Sequence, residues 1–267
     1  DKHPMVIVSG ADDMYYSGLV NLAGSLRFWA PKHKLVVYNL GLRPEHIEQL
    51  QKWDIEVKWP DGIPDHYPSH LMIGKVYAWK PVAINESLHE YKQIFWLDAG
   101  STVTSPIKEA IRITQETGIF LVKGQDGDMR LAHPCTYKAF GYDKATFVGG
   151  AHYSGNTQAY LYPSRYVDTV VIPNAECALQ PDCIMPEDSS LGNHRYDQTT
   201  LSILSYRHDL IIPEYTKYLA CCREQLADDL RKPSPHFVWT SRNSCGDFWN
   251  EMEGFEGYEG GGLFDDD

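Results

Sequence analysis

Ile94-Phe95-Trp96-Leu97-Asp98-Ala99-Gly100-Ser101-Thr102-Val103 is the stretch whose reading decides the fold: an apolar run that delivers one acidic residue onto a glycine turn. Continuous apolar residues mark a strand buried on both faces, as in parallel sheets, and ligands in open α/β sheets gather beyond the carboxyl ends of such strands. Asp98 is therefore expected at a ligand site. Asp close before Gly is also ordinary turn chemistry, so the surrounding motifs decide between a ligand contact and a turn cap.

Upstream, Met5-Val6-Ile7-Val8-Ser9-Gly10 predicts a first strand, and Leu19, Leu22, Ala23 and Leu26 give residues 17–28 helical spacing. Residues 34–40 predict a second strand, Pro44 opens a helix through Trp53, and residues 55–59 predict a third strand. Residues 60–70, rich in proline, predict a surface loop, and a helix over 73–91 feeds the strand ending at Asp98. Downstream, a helix runs from Pro106 to Thr117, and strands are predicted at 118–123 and 153–161. Residues 167–178 have helical or extended alternatives, 197–206 reads as helix, and Ile211-Ile212-Pro213 as a late edge strand. Alternation of strand and helix implies an α/β fold: a single Rossmann-like domain with a mostly parallel central sheet flanked by helices. It is expected to span 1–250, with an acidic, glycine-rich and mobile tail over 251–267.

The chain has 267 residues, 43% of them hydrophobic, enough for one large α/β core. Its formal charge of −12 opposes binding to nucleic acid or to an anionic membrane face. No run approaches the roughly 18 apolar residues that span a bilayer, so no membrane span is expected. A start at Asp1 leaves room for an anchor or neighbouring domain ahead of it. Six cysteines form neither CxxC pairs nor a dense disulfide set; Cys177 and Cys183 would bridge in an oxidising lumen or stay as buried thiols. Asn85-Glu86-Ser87 fits a glycosylation acceptor but falls in a helical stretch. The compartment stays open between a Golgi or ER lumen, after removal of an anchor, and the cytoplasm.

Four segments can carry chemistry. In Ser9-Gly10-Ala11-Asp12-Asp13-Met14-Tyr15-Tyr16, small residues such as Ala11 let a ligand approach the backbone. There Asp12 can accept from ribose hydroxyls and Tyr15 can stack on a base, or Asp12 or Asp13 simply caps a helix. The segment lacks GxGxxG and GxxxxGK spacing, which argues against hydride transfer and ATP hydrolysis. In Lys75-Val76-Tyr77-Ala78-Trp79-Lys80-Pro81, the two lysines lie about 140° apart on a helix, so one of them faces a ligand or both are solvated. In Asn193-His194-Arg195-Tyr196-Asp197-Gln198, Asp197 and Gln198 open a helix, where a carboxylate is stabilised by the dipole and can also serve as general base to a sugar hydroxyl. In the segment 233–243, His236 is a candidate metal ligand and Arg242 a candidate diphosphate clamp.

Taken in order, the strand-one turn, Ala-Trp-Lys-Pro, Phe-Trp-Leu-Asp-Ala-Gly, Tyr-Ser-Gly-Asn-Thr and His-Arg-Tyr-Asp-Gln-Thr, the chain resembles GT-A glycosyltransferases that use nucleotide-diphosphate sugars, over roughly residues 5–245. The resemblance implies transfer of a sugar, most often from a UDP-sugar, to a hydroxyl of a glycan or glycoconjugate. It implies a donor site of Ala11, Asp12, Tyr15, Lys75, Lys80, Asp98, Ala99, Gly100, Asn156 and Arg242. In that family an Asp-x-Asp strand end holds a divalent metal across the diphosphate; here Asp98 matches and Gly100 replaces the second carboxylate. Mn²⁺ or Mg²⁺ on Asp98 and His236 is one way to supply the positive charge, and Lys75 or Lys80 with Arg242 is the metal-free way. Ser154-Gly155-Asn156 matches the strand edge beside the sugar. Asp197 matches the catalytic base of inverting members, and Gln198 the amide near the anomeric carbon of some retaining ones. The alternative is a GT-A-like module that binds a glycan or nucleotide without turnover.

Overall fold

The computed structural model describes residues 3–124, 128–208, 218–221, 223–241 and 247–253. Its centre is β1 (Val6–Ala11), buried along its whole length. It pairs in parallel with β2 (Leu35–Asn39) on one side and β4 (Gln93–Leu97) on the other, and β2 pairs in parallel with β3 (Glu56–Lys58). Beyond β4, the strand β7 (Tyr153–Leu161) lies antiparallel between β4 and β6 (Ile119–Lys123), giving the order β3-β2-β1-β4-β7-β6. The mostly parallel sheet expected from the sequence is present. The sequence reading did not extend to the reversal of β7; among the described residues the chain between β6 and β7 holds a 3-10 turn, Asp128–Leu131, and the short helix α5 (Pro134–Ala139), with no long crossover helix.

Helices α1 (Tyr16–Trp29), α2 (Pro44–Lys52), α3 (Trp79–Tyr91) and α4 (Lys108–Thr117) flank the sheet. The inner stripe of α1, Leu19, Leu22, Ala23 and Leu26, is fully buried, as its spacing requires. The helix expected over 73–91 is shorter at its start. Two 3-10 turns, Ser69–Met72 and Gly74–Val76, precede it, and Tyr77 at φ 56° breaks the path before Trp79. Lys75 and Lys80 therefore do not share a helix. Pro81 falls in the first turn of α3, where a missing N–H removes no helical bond.

A second, three-stranded sheet joins β5 (Thr102–Val103), β9 (Val238–Trp239) and β8 (Leu219–Ala220) in the order β5-β9-β8. Two-residue strands show no period, so the sequence did not announce them. Residues 167–178 are helical: a π turn, Val167–Val171, runs into α6 (Ile172–Ala178), and α7 (Pro181–Ile184) follows. Cys177 and Cys183 are joined by a disulfide with Cα atoms 5.3 Å apart. Ser87 is buried in α3 and bonded to the Tyr38 hydroxyl, so Asn85-Glu86-Ser87 is closed inside a helix. The last helix described, α8 (Asp197–Arg207), packs on β7 and α6. Phe248 and Met252 are buried against the core, so packed chain extends to at least Met252. The strand expected at 211–213 and residues 254–267 of the expected tail lie outside the described residues.

Candidate active site

The site forms where β4 ends. Asp98 donates its N–H to the Asn156 carbonyl (3.0 Å), which fixes its backbone between β4 and β7. Its Oδ1 accepts from Trp96 Nε1 at 2.8 Å. From the first turn of α3, Lys80 brings Nζ to 2.9 Å from Asp98 Oδ1 and 3.1 Å from Oδ2. The same ammonium lies 3.2 Å from Asp197 Oδ2, in the first turn of α8, and 3.3 Å from the Gly155 carbonyl. The ammonium donates to Asp98 and to the Gly155 carbonyl; toward Asp197 it forms an ion pair, and Asp197 Oδ2, buried, makes no hydrogen bond among the described residues.

Packing makes this geometry stiff. Lys80 is 3% and Asp197 5% exposed, and the lysine nitrogen sits 5.2 Å from the centre of the Tyr77 ring. A Cβ on Gly155 would lie 2.7 Å from Asp197 Oδ2 and 3.2 Å from Gln198 Cγ. The bare Gly155 leaves room for the Asp197 and Gln198 side chains against β7. A Cβ on Gly10 would lie 2.8 Å from the Trp79 ring, so a bare strand end seats the first turn of α3 against β1. Tyr196, immediately before Asp197, has φ 46° and ψ −114°. A bulky residue there stores strain of about 1–3 kcal/mol, which surrounding packing has to hold.

The charges follow from burial. Desolvation works against the Lys80 ammonium, but Asp197 and Asp98 outweigh it and hold its pKa above the ordinary lysine range. Burial pushes the Asp197 carboxyl above its usual range; Lys80 pulls it back, and the neighbouring Asp98 adds to the rise. One cation is shared by two carboxylates, and the more deeply buried carboxylate carries the cost. Gln198 is half-buried, and its side-chain amide makes no hydrogen bond among the described residues. It is the group of this cluster available to a ligand.

The other expected site residues divide into those near this cluster and those away from it. Asp12 caps the 3-10 turn Asp13–Tyr15, accepting from Tyr15 N at 3.2 Å, and Tyr15 is 38% exposed. Tyr77, whose phenol burial pushes up, has Tyr15, Lys80, Asp197 and Asp98 around it, so the strand-one turn and the Lys80 cluster border one region. Ala11 and Ala99 are buried. Asn156 bridges Ser154 and Thr240, donating to Thr240 Oγ1 at 2.6 Å. Gly100 accepts from Ser241 Oγ at 3.0 Å. Lys75 is exposed on its 3-10 turn, apart from Lys80. Arg242 lies outside the described residues.

The expected metal pair, Asp98 with His236, is not brought together. Antiparallel register sets Thr102 opposite Trp239, and Thr104 binds the Phe237 and His236 backbone. His236 thus falls at the end of the ribbon that runs away from Asp98, while Thr240 and Ser241 fall at the Asp98 end. Among the described residues no group of three His, Cys, Asp or Glu could hold a metal ion. The two carboxylates that do converge are already bridged by an ammonium, so these residues do not fit a divalent ion.

Trp96, Thr240 and Ser241 were not among the expected site residues, and the tight packing at Gly155 was not part of the expectation for its segment. Trp96 lay inside the quoted motif, but its indole bond to Asp98 depends on the strand end's shape. The close approach at Gly155 was signalled by a glycine within a strand. Thr240 and Ser241 could be found only through the pairing of β5 with β9.

A family model described as "Protein of unknown function (DUF1647)" matches residues 1–85. No curated protein matches the chain. Among solved structures, the WbbM bifunctional glycosyltransferase in its apo form is similar with a TM-score of 0.56 and 11% identity, covering 94% of this chain and 49% of that one. This chain therefore spans about half the length of WbbM. An active-site mutant of LgtC is similar with a TM-score of 0.50 and 13% identity, covering 94% of this chain and 95% of that one. At such identity the likeness is one of architecture: the chain has the GT-A fold, an α/β fold with a mostly parallel central sheet flanked by helices.

Proposed function

We propose that this chain is a glycosyltransferase, moving a hexosyl or pentosyl group from a nucleotide-diphosphate sugar, UDP-linked in the first instance, to a hydroxyl of a glycan or glycoconjugate. The observation that carries this reading is the convergence of Lys80, Asp98 and Asp197 beyond the end of β4, with the Gln198 amide left available beside them. Ligands of open α/β sheets bind at such strand ends, and the similar structures named above include glycosyltransferases.

Asp12 and Tyr15 meet the nucleoside, and Asp98 with Ala99 and Gly100 borders the diphosphate. Asn156 and Gln198 face the sugar. In the reaction the bond from the anomeric carbon to the diphosphate oxygen breaks, the acceptor oxygen bonds to that carbon, and the acceptor proton leaves to a base. Asp197 takes that role in an inverting course, and Gln198 lies beside the anomeric carbon in a retaining one. The catalytic unit includes the packed chain as far as Met252. The Cys177–Cys183 bridge favours a secretory lumen, since cytosolic thiols are kept reduced.

A second reading, ligand binding without turnover, is favoured by the engagement of both carboxylates by Lys80. Transfer from labelled nucleotide sugars to a panel of glycan acceptors separates the two. An active wild type whose Asp197→Asn variant binds donor but does not transfer supports the enzyme. A wild type that binds donor and never transfers supports the module.

A further inference from the structure

Both carboxylates of the Lys80 cluster face the same ammonium. Asp98 takes Trp96 Nε1 and Lys80 Nζ on its carboxylate. Asp197 is ion-paired with Lys80 at 3.2 Å, and the ammonium also donates to the Gly155 carbonyl. The lysine is not a surface group that swings aside. It is 3% exposed, its nitrogen lies 5.2 and 6.0 Å from the ring centres of Tyr77 and Trp79, and Trp79 is itself pressed on Gly10.

We infer that Lys80 is a built-in cation: its ammonium fills the place between Asp98 and Asp197 that a divalent ion would have to take, and this site works without recruiting one. A divalent ion binding either carboxylate at an oxygen-ligand distance of about 2–2.5 Å would stand within a few ångströms of a fixed like charge that is itself buried. It would also find Gly100 where a second carboxylate would be needed on the turn. Lys80 is 3% exposed and turned to Asp98, Asp197 and Gly155, so it does not reach for the diphosphate itself. It acts through Asp98 and Asp197 as a positioning residue, setting their orientation and offsetting part of the negative charge that would otherwise oppose an anionic donor.

The donor clause of this inference rests on the glycosyl-transfer reading; the cation clause does not. Mn²⁺ alone, titrated into the full chain and followed by the electron paramagnetic resonance signal of the free ion, tests the cation clause without any sugar nucleotide. Wild type and Asp98→Asn are expected to give the same titration. Lys80→Ala, which bares the two carboxylates, is expected to gain a saturable Mn²⁺ site at least tenfold tighter, lost again in Lys80→Ala with Asp98→Asn. Saturable Mn²⁺ binding by wild type that Asp98→Asn abolishes would overturn the proposal. So would a Lys80→Ala protein with native circular dichroism that gains no site. If Lys80→Ala does not fold, the comparison of wild type with Asp98→Asn decides alone. UDP-glucose binding by wild type is expected to be equal in EDTA and in Mn²⁺, and a requirement for Mn²⁺ overturns the donor clause. Failure of every nucleotide sugar to bind in both conditions strikes the functional reading, while the Mn²⁺ titration still judges Lys80.

Discussion

Lys80 Nζ stands 3.2 Å from Asp197 Oδ2, tying the first turn of α3 to the first turn of α8 beneath the end of β4. Removing one partner of a buried ion pair leaves an uncompensated charge, at a cost of about 3–5 kcal/mol. Lys80→Met should therefore lower unfolding stability in urea by that order, and adding Asp197→Asn should recover part of the loss. Two losses that simply add would show that the pair is not coupled.

Gly155→Ala tests the approach of α8 to β7. The new methyl would start 2.7 Å from Asp197 Oδ2 and 3.2 Å from Gln198 Cγ, so the carboxylate and amide have to move. Overpacking of this kind costs about 1–3 kcal/mol, and a misplaced group costs on the order of 10²-fold in rate. A folded Gly155→Ala protein with unchanged transfer would contradict the close packing described.

Asp197 and Gln198 are adjacent but should fail differently. Loss of a general base lowers kcat by about 10²–10⁴, so Asp197→Asn is expected to keep donor binding and lose turnover. Gln198→Ala removes a hydrogen bond to the sugar and should raise KM by roughly tenfold, a loss of about 1–1.5 kcal/mol. Steady-state kinetics of both variants separates the roles, and equal effects on kcat would refute the division.

Two buried imidazoles should make stability fall in acid. Burial, with Arg195 and His194 nearby, lowers His152 from 6.5 to about 3. Burial also lowers His194 from 6.5 to about 4, against the effect of its bond to the Ile184 carbonyl. Below pH 6.5 the unfolded chain takes protons that the folded chain refuses. Each group's contribution is thus complete above pH 6.5 and declines toward about pH 4 or 3, by up to about 1.4 kcal/mol per pH unit. Asp197, raised by burial, has the opposite sign: its contribution is complete below 3.8 and declines as pH rises through its folded pKa. Urea unfolding of wild type and His152→Gln between pH 4 and 7 isolates the histidine part. The variant should show the shallower slope, and identical slopes would show that His152 titrates freely.

Cys177–Cys183 closes a short loop between α6 and α7. Chain entropy assigns such a loop about 2 kcal/mol. Cys177→Ser with Cys183→Ser should lower the Tm of the oxidised protein by several degrees and make Tm indifferent to dithiothreitol. A wild-type Tm that does not respond to reduction would argue that the pair carries no bridge in solution.

Much of the sheet was legible because β1, β2, β4 and β6 are mainly apolar runs, and the more polar β7 was also read at its actual bounds, 153–161. Its reversed direction was not legible, because period and hydropathy are the same in either sense. Lys80, Asp98 and Asp197 were each named from local motifs, since short polar residues at strand ends and helix starts stand out. Their convergence depends on long-range packing through Gly155 and on the strained backbone at Tyr196, which no local pattern encodes. His236 was misassigned for the complementary reason: its position follows from the register of two-residue strands too short to leave a signal.

The most direct measurement is isothermal titration of wild type and Asp98→Asn with UDP, GDP and CMP sugars. Saturable, UDP-selective binding weakened at least tenfold by Asp98→Asn is expected of a donor site at the end of β4. Absence of binding by any nucleotide sugar to a folded wild type would contradict it.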